Sequence, residues 1–547
     1  MSLLVDVTRD TCHVPRVTAA VTRYSFALFA LGLGVNLISA YFIRMPGYMD
    51  AYYYFGGARQ LSQGQGFSEP YVWNYLDNPA RLPHPSHLYW MPLASIVAAA
   101  SMRLLGDTFR GAQFPFLLLA ALMPPLAAWL AWCLGRNLGR AVAAGLLAAF
   151  PGFYLIFWPN VDTFALFGLL GAGCLMAAWR GDESGKMRWW LLAGLLAGLA
   201  HLTRADGVLL LLVAAAWSLK GSRKVEEGRR NVESAASLFL FPFLILSSGY
   251  LLVMLPWLVR NHVAAGSILA PGGAAALWLR DYNELFSLRP ATASAYFSQG
   301  FAAILAGKWQ ALLANLQTAS AVQGMIFLWP FTLWGAWKSR GHPLVRLAAL
   351  YYAALFALMT FAFSLPGARG GLFHSGTVVL PFVFALAPAG IAAAVEWVSA
   401  RRRSWDPRAA AQVFTVGAVV LVVCLTALIF YVRVFAAERR GAGWNRADQV
   451  YAEIGPLLEP GSIVVVNNPP GFYYHTGHPA IVIPDGPEAD LLAAADRFGA
   501  DYVVLDANRP AGLAGIYREE ESSPRLGLLE VLRDGSGRPV QLYEVLP

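Results

Sequence analysis

Charge is scarce in this chain: 41 basic and 33 acidic side chains among 547 residues, 14% in all, about half the usual quarter of a soluble domain. That shortage excludes an ordinary soluble enzyme, and a hydrophobic content of 57% excludes disorder. Cysteine is scarcer still. Cys12, Cys133, Cys174 and Cys424 lie in the N-terminal tail or in apolar segments, and no pair has metal-finger spacing. Nucleic-acid signatures and a solenoid-type repeat are missing as well. What the chain does have is 18 Trp, 22 Tyr and 32 Phe together with long apolar runs. That combination suits a hydrocarbon core with interfacial aromatic belts.

The net charge of +8 hides a division. Residues 435–547 hold 16 acids and 9 bases, whereas residues 1–434 hold 17 acids and 32 bases. The first part reads as a multispanning membrane body and the second as a soluble appendage. Basic loops facing the cytoplasm account for the positive excess, so the partners it implies are membrane lipids and not nucleic acid.

The first apolar run, Tyr24 to Ile43, follows Arg9, Arg16 and Arg23 and is long enough to cross about 30 Å of hydrocarbon. Arg44 and aromatic residues follow it where a small-residue cleavage site would stand, so it reads as an uncleaved anchor. Further runs at 112–133, 141–158, 163–179, 189–202, 207–219, 237–258, 322–337, 347–364, 375–399 and 412–432 make eleven. The run Leu88 to Leu105 decides the topology. Left outside the membrane, it puts 20 of the 32 bases of the body into short inner segments, such as Arg136 with Arg140 and Arg401 to Arg403. Counted as a span, it would export every basic cluster after the first, against the positive-inside rule. It is therefore expected to be an interfacial or re-entrant helix within a long first outer loop, 43–111, with the N-terminus cytoplasmic and the tail outside. Two spans are short and meet at "HLTRADG", a polar junction tolerated only where protein or water satisfies the backbone.

The tail alternates patterns. "SIVVVNN", "AIVIP", "DYVVLDA", "LLEVL" and "VQLYEVL" read as strands, "ADQVYAEIGPLLEPG" and "EADLLAAADRFGA" as helices, and "NNPPGFYYHTGHP" as a turn-rich loop with no phosphate-cradling glycines. A small α/β domain is expected.

Ionisable residues close to hydrocarbon are costly, which makes those at outer helix ends functional candidates. Asp50, in "MPGYMDAYYYFGGARQL", stands just past the first span; Asp162, in "WPNVDTFALF", is the acid of a short outer turn. The Asp50 carboxylate could accept a proton from a nucleophile, and either acid could simply cap a helix. Arg204, Arg260, Arg280 and Arg369 bring planar guanidinium groups to the same face, suited to a lipid phosphate; for any one of them the plainer reading is snorkelling to headgroups. His84 and His87 in "RLPHPSHLYWMPL" have H-x-x-H spacing, but Pro83 and Pro85 oppose the helix a zinc site would need. His475 and His478 share that spacing. Tyr53, Tyr89, Trp90 and His374 could line a sugar or acceptor site, and the aromatics among them could equally belong to the interfacial belt.

Taken in order along the chain, "PGYMDAYYYFGGARQLSQGQGF", "HPSHLYWMPL", "WPNVDTFALF" and "GLLAGLAHLTRADGVLLLL" resemble the GT-C membrane glycosyltransferases, in particular the family 39 type that includes protein O-mannosyltransferases and lipid A aminoarabinose transferases. The resemblance covers roughly residues 20–400. It implies a polytopic α-helical fold of about eleven spans, Asp50 as general base, Asp162 as the second carboxylate, and a donor-phosphate contact near His84, where "HPSH" departs from the Lys-Pro or His-Pro-Pro of relatives.

The expected function is transfer of a sugar, with inversion, from a polyprenyl-phosphate donor to a lipid, glycan or protein acceptor outside a bacterial cytoplasmic membrane. Arg204, Arg260 and Arg369 would neutralise the departing phosphate. No nucleotide is needed at the outer face; a divalent metal is possible, because some members of the superfamily use one, although no compelling ligand set for it stands out here. The rivals are a transporter or lipid-linked-sugar flippase, an assembly subunit with a degenerate site, and an enzyme that transfers whole glycans.

Overall fold

The computed structural model describes residues 15–226, 232–402 and 406–547. Arg9, Cys12, Arg229, Arg230 and Arg403, and the side chains of Arg16, Lys220, Arg223 and Lys224, lie outside the described residues, so their part in the charge argument has no structural counterpart.

Each of the eleven apolar runs falls on a helix. Among the described residues, seven helices are long and apolar enough to cross a membrane, or eight if Phe301–Gln323 and Leu328–Lys338, which meet at 89°, form one broken span. Three other runs fall on shorter apolar helical stretches, Leu138–Ala149, Met187–Thr203 and Ala205–Leu219. The run 141–158 is cut by Pro151, after which the chain continues as a 3-10 turn, Gly152–Ile156. The two short helices around "HLTRADG" meet in another 3-10 turn, Ala205–Gly207. A side chain at Gly207 would come within 2.5 Å of the Ala200 carbonyl, so only glycine allows the backbones to approach this closely.

Successive helices run back and forth between two ends. At one end Gly135, Arg140, Lys338, Ser339 and Glu396 line a common cavity, and the Trp179 ring lies 5.3 Å from His342. Three of the basic connections, those around Arg136 and Arg140, Arg180, and Lys338, gather there. The candidate acids lie at the other end, where Phe164–Ser184 and Leu380–Ser399 begin.

The first outer loop contributes two helices. Leu93–Leu105 has 13 residues, about 20 Å at 1.5 Å per residue, too short for a 30 Å hydrocarbon layer. It buries Ala94, Ala98, Ser101 and Met102 and packs against Met49–Ser62. Between these helices lie three short strands, β1 (Ser68–Glu69), β2 (Tyr71–Val72) and β3 (His84–Pro85). β1 and β3 form a small antiparallel pair.

β2 does something the sequence does not announce. It becomes the edge strand of the tail's own sheet, whose other strands are β4 (Val464–Val466), β5 (Ala480–Val482), β6 (Tyr502–Leu505), β7 (Leu526–Arg533) and β8 (Pro539–Val545). The order is β2-β5-β4-β6-β8-β7, parallel from β2 to β6 and antiparallel beyond. The strands "VVV" and "YVVL" are buried throughout, as parallel strands covered on both faces must be. Tyr75 reinforces the junction by donating its hydroxyl to the Val482 carbonyl at 2.6 Å.

The expected tail strands are all present, but one loop is not a loop. "PPGFYYHT" forms a helix, Pro469–Thr476. Asn468 caps it by accepting from the Gly471 N–H, the two prolines occupy its first turn, and Gly477 ends it with φ +76°. The expected helix at 447–461 shrinks to Val450–Ile454 and a 3-10 turn, because Gly455 and Pro456 interrupt it.

Candidate active site

Asp50 sits in the first turn of Met49–Ser62, directly after the extended residue Tyr48. Free N–H groups and the helix dipole favour a carboxylate at that position. Asp162 lies in the turn before Phe164–Ser184, where its Oδ1 accepts from both the N–H and the hydroxyl of Thr163. Asn160 in the same turn donates its amide to the Pro46 carbonyl at 2.8 Å, tying the two acid-bearing segments together.

The third member comes from far along the chain. Gly370, at φ +130°, breaks the helix so that Leu372–Ser375 turns His374 inward. Its ring stacks on Phe164 at 3.9 Å and 21°, and Nδ1 donates to the Gly370 carbonyl at 3.0 Å. Nε2 is thereby aimed at the acids, 3.5 Å from Asp162 Oδ2 and 3.8 Å from Asp50 Oδ2, and it is buried without a hydrogen-bond partner among the described residues. Tyr48 donates its hydroxyl to Asp162 Oδ2 at 2.6 Å.

These neighbours drive the two carboxyl groups apart. Asp50 is pushed up to about 6 by desolvation and by the Asp162 charge, against the opposing pull of His374 and Arg204. Burial resists ionisation of Asp162 too, but His374, the Tyr48 hydroxyl and the Thr163 N–H outweigh it and hold the carboxyl below the usual range. The Asp50 side chain is 30% exposed and that of Asp162 only 1%. One carboxyl is therefore a reachable group poised near neutrality, the other a buried permanent charge.

The donor set also bears on a metal. One atom each from Asp50, Asp162 and His374 lie within 4.8 Å of one another. Two carboxylate oxygens and an imidazole nitrogen with no other partner fit a divalent cation. No ligand set was visible in the sequence, because His374 is distant from both acids along the chain.

Of the expected cations, Arg204 comes closest. Its Nε donates to Asp206 Oδ1 at 3.1 Å and to Ser375 Oγ at 2.9 Å, beside His374, and its charge acts on Asp50. Both bonds use Nε, which leaves the terminal nitrogens as donors for an anion. Arg369 stands one ring away, over Tyr282 at 5.1 Å, and Tyr282 in turn senses Asp50. Arg260 is elsewhere: it donates to the Phe67 carbonyl at 3.2 Å and lies over Trp257 at 4.7 Å. Arg280 pairs with Glu284.

Several expected contacts are corrected by burial. His84 has both ring nitrogens engaged, Nδ1 with Glu69 at 3.4 Å and Nε2 with Asp77 at 3.0 Å, so it has no donor to spare for a phosphate. His87 is fully buried between Ser86 and Ser95, and burial lowers its pKa to about 3, leaving it neutral. Tyr53, 1% exposed, accepts the His87 N–H at 2.7 Å and lines a small cavity with Glu69, Trp73 and His84. Trp90 stacks on Trp73 at 3.9 Å. Tyr89 remains beside the acids, near enough for Asp50 and Arg204 to influence its hydroxyl. His374, expected as an acceptor contact, instead joins the acid pair.

Known proteins can now be set against this geometry. Residues 84–259, about a third of the chain, match the family described as dolichyl-phosphate-mannose-protein mannosyltransferase. The segment includes Asp162 and Arg204 but neither Asp50 nor His374. The fold is similar to the crystal structure of ArnT from Cupriavidus metallidurans bound to undecaprenyl phosphate, with a TM-score of 0.57, 15% identity, and coverage of 95% of this chain and 98% of that one. The apo state of the same protein gives 0.53, 15%, 96% and 98%. No curated protein matches the sequence. The chain is thus similar in fold to a membrane glycosyltransferase of the ArnT kind over nearly its whole length, and similar in sequence to the mannosyltransferase family over residues 84–259 alone.

Proposed function

We propose that this protein transfers a sugar, with inversion, from a polyprenyl-phosphate carrier to a hydroxyl-bearing lipid, glycan or protein on the outer side of a bacterial cytoplasmic membrane. The observation that carries the reading is the pair Asp50 and Asp162, with unlike protonation behaviour, beside Arg204. The gathering of basic connections at the opposite end of the bundle supports the orientation.

Asp50 takes the acceptor's proton as the acceptor oxygen attacks the anomeric carbon. The bond from that carbon to the phosphate oxygen breaks on the opposite face, its electron pair leaves with the lipid phosphate, and the configuration inverts. Arg204, with Arg369 at one remove, neutralises the charge that develops there. Asp162 and His374 hold Asp50 in place and tune its basicity. A divalent cation, when bound, would be held by one oxygen of each acid and by His374 Nε2, and would make the acceptor hydroxyl easier to deprotonate. Asp50 keeps its second oxygen for the proton.

A deletion strain tests the reading by mass spectrometry of its lipid-linked sugars. Accumulation of a single lipid-linked monosaccharide, with loss of one sugar from an envelope glycan, lipid or protein, is expected. Unchanged pools and unchanged products would contradict it.

A further inference from the structure

The tail reaches the candidate site by two contacts that flank Asp50. The first is Trp444. Gly47 has φ +80°, and a Cβ there would sit 2.7 Å from the Trp444 ring, so the indole rests directly on the backbone leading to Asp50. Its edge meets the Tyr48 ring at 5.1 Å and 82°, and the ring of Phe157 at 5.4 Å. One indole therefore touches both the segment that carries Asp50 and the turn that carries Asp162. The next residue, Asn445, locks the same stretch: it accepts from the Arg44 N–H and donates to the Phe42 carbonyl, both at 2.8 Å. Glu438 fixes Asn445 in turn, accepting its N–H at 2.7 Å.

The second contact is the Pro469–Thr476 helix, which lies along Met49–Ser62. His475 Nε2 is 3.2 Å from the Tyr52 hydroxyl. Tyr474 packs its ring against Tyr52 at 5.1 Å and Phe55 at 5.3 Å, and Gln60 donates to the Tyr473 hydroxyl at 3.4 Å. Tyr52, Phe55 and Gln60 share one helical face, spaced so that a single partner helix meets all three. Asp50 is thus left free on a segment gripped two residues before it and two residues after it.

We infer that Trp444 and His475 are positioning residues: the C-terminal unit holds the Asp50 carboxylate in its working place by clamping Tyr48 and Tyr52. This inference rests on the glycosyl-transfer reading for its consequence, but its physical content is separate. β2 already anchors the tail to the first loop by backbone pairing, and neither clamp is needed for that anchoring. A base must be placed to within a fraction of an ångström, and a displacement of about 1 Å costs on the order of 100-fold in rate.

The test uses the full-length protein in lipid nanodiscs, with lipid extract from the deletion strain as donor source and undecaprenyl phosphate as binding probe. Trp444→Ala and His475→Ala are expected to lower kcat roughly 10- to 100-fold, with undecaprenyl phosphate binding within about twofold of the parent, an affinity difference of a few tenths of a kcal/mol. Trp444→Phe and His475→Gln, which keep a ring and a nitrogen partner respectively, are expected to recover most of the loss. Hydrogen exchange of residues 47–56 should quicken in the two alanine variants alone. Parent-like kcat in both alanine variants of an active enzyme would overturn the inference while leaving the transfer reading intact. An inactive parent would count against the transfer reading, and exchange at 47–56 unchanged by either alanine substitution would overturn the clamp regardless of activity.

Discussion

Tyr48 donates its hydroxyl to Asp162 Oδ2 at 2.6 Å, joining the residue two positions before one candidate acid to the carboxylate of the other. After His374, this bond helps keep Asp162 charged inside the protein, and that charge helps push the Asp50 carboxyl up to about 6.

Removing this bond should weaken the site without unfolding it. Hydrogen bonds to charged groups contribute about 1.5–3 kcal/mol, so Tyr48→Phe is expected to lower kcat by roughly ten- to a hundredfold with little change in donor binding. Steady-state kinetics and undecaprenyl phosphate binding check this. Parent-like turnover would show that Asp162 needs no help from Tyr48.

The pH profile follows from Asp50. A base must be unprotonated, so transfer should fall as pH drops through about 6, the value to which desolvation and Asp162 push its carboxyl. The sign for stability is the reverse. Because the folded value lies above the usual 3.8, Asp50 favours the fold at low pH, and that contribution fades as pH rises through about 6. A rate profile with no acid limb between pH 5 and 7, measured directly on the purified enzyme, would contradict the assignment.

Arg204 should matter through its charge and its geometry together. Arg204→Lys keeps the charge but loses the planar pair of donors, whereas Arg204→Ala also leaves Asp206 without its partner. The expected order of activity is parent, then lysine, then alanine, the last down by roughly 10²- to 10³-fold, as for loss of a preorganised electrostatic donor. Equal activity of the lysine variant and the parent would argue against a two-oxygen contact.

The first loop carries a separate pH dependence. Burial disfavours a charged His84, but Asp77 and Glu69 more than offset it and raise its pKa to about 9, above the ordinary 6.5. The stabilisation is therefore fully present below about 6.5 and is lost as pH rises through about 9. Hydrogen exchange over residues 67–87 should quicken across that window, and His84→Gln should flatten the dependence. An unchanged slope in the variant would place the titration elsewhere.

Much of the fold was legible because hydrocarbon imposes long apolar runs, and every such run became a helix. The acids were legible for a related reason: Asp50 and Asp162 stand where a charge next to lipid needs a purpose. Contacts between distant segments leave no such mark. His374 lies more than two hundred residues from Asp162, and only the break at Gly370 turns it inward. β2 is two residues long, too short for any alternating pattern, and its partner strand is four hundred residues away. The Pro469–Thr476 helix was hidden by its own prolines, which read as a turn until Asn468 is seen capping them. Histidines and tyrosines of the first loop looked like ligands because sequence says nothing of burial; His87 and Tyr53 turn out to bond chiefly to their neighbours.

The most direct measurement is sugar transfer by Asp50→Asn, an isosteric change that removes the base and keeps the shape. Purified enzyme in nanodiscs, supplied with the lipid-linked monosaccharide that the deletion strain accumulates, should lose roughly 10²- to 10⁴-fold in transfer while still binding undecaprenyl phosphate. Transfer at the parent rate would contradict the account.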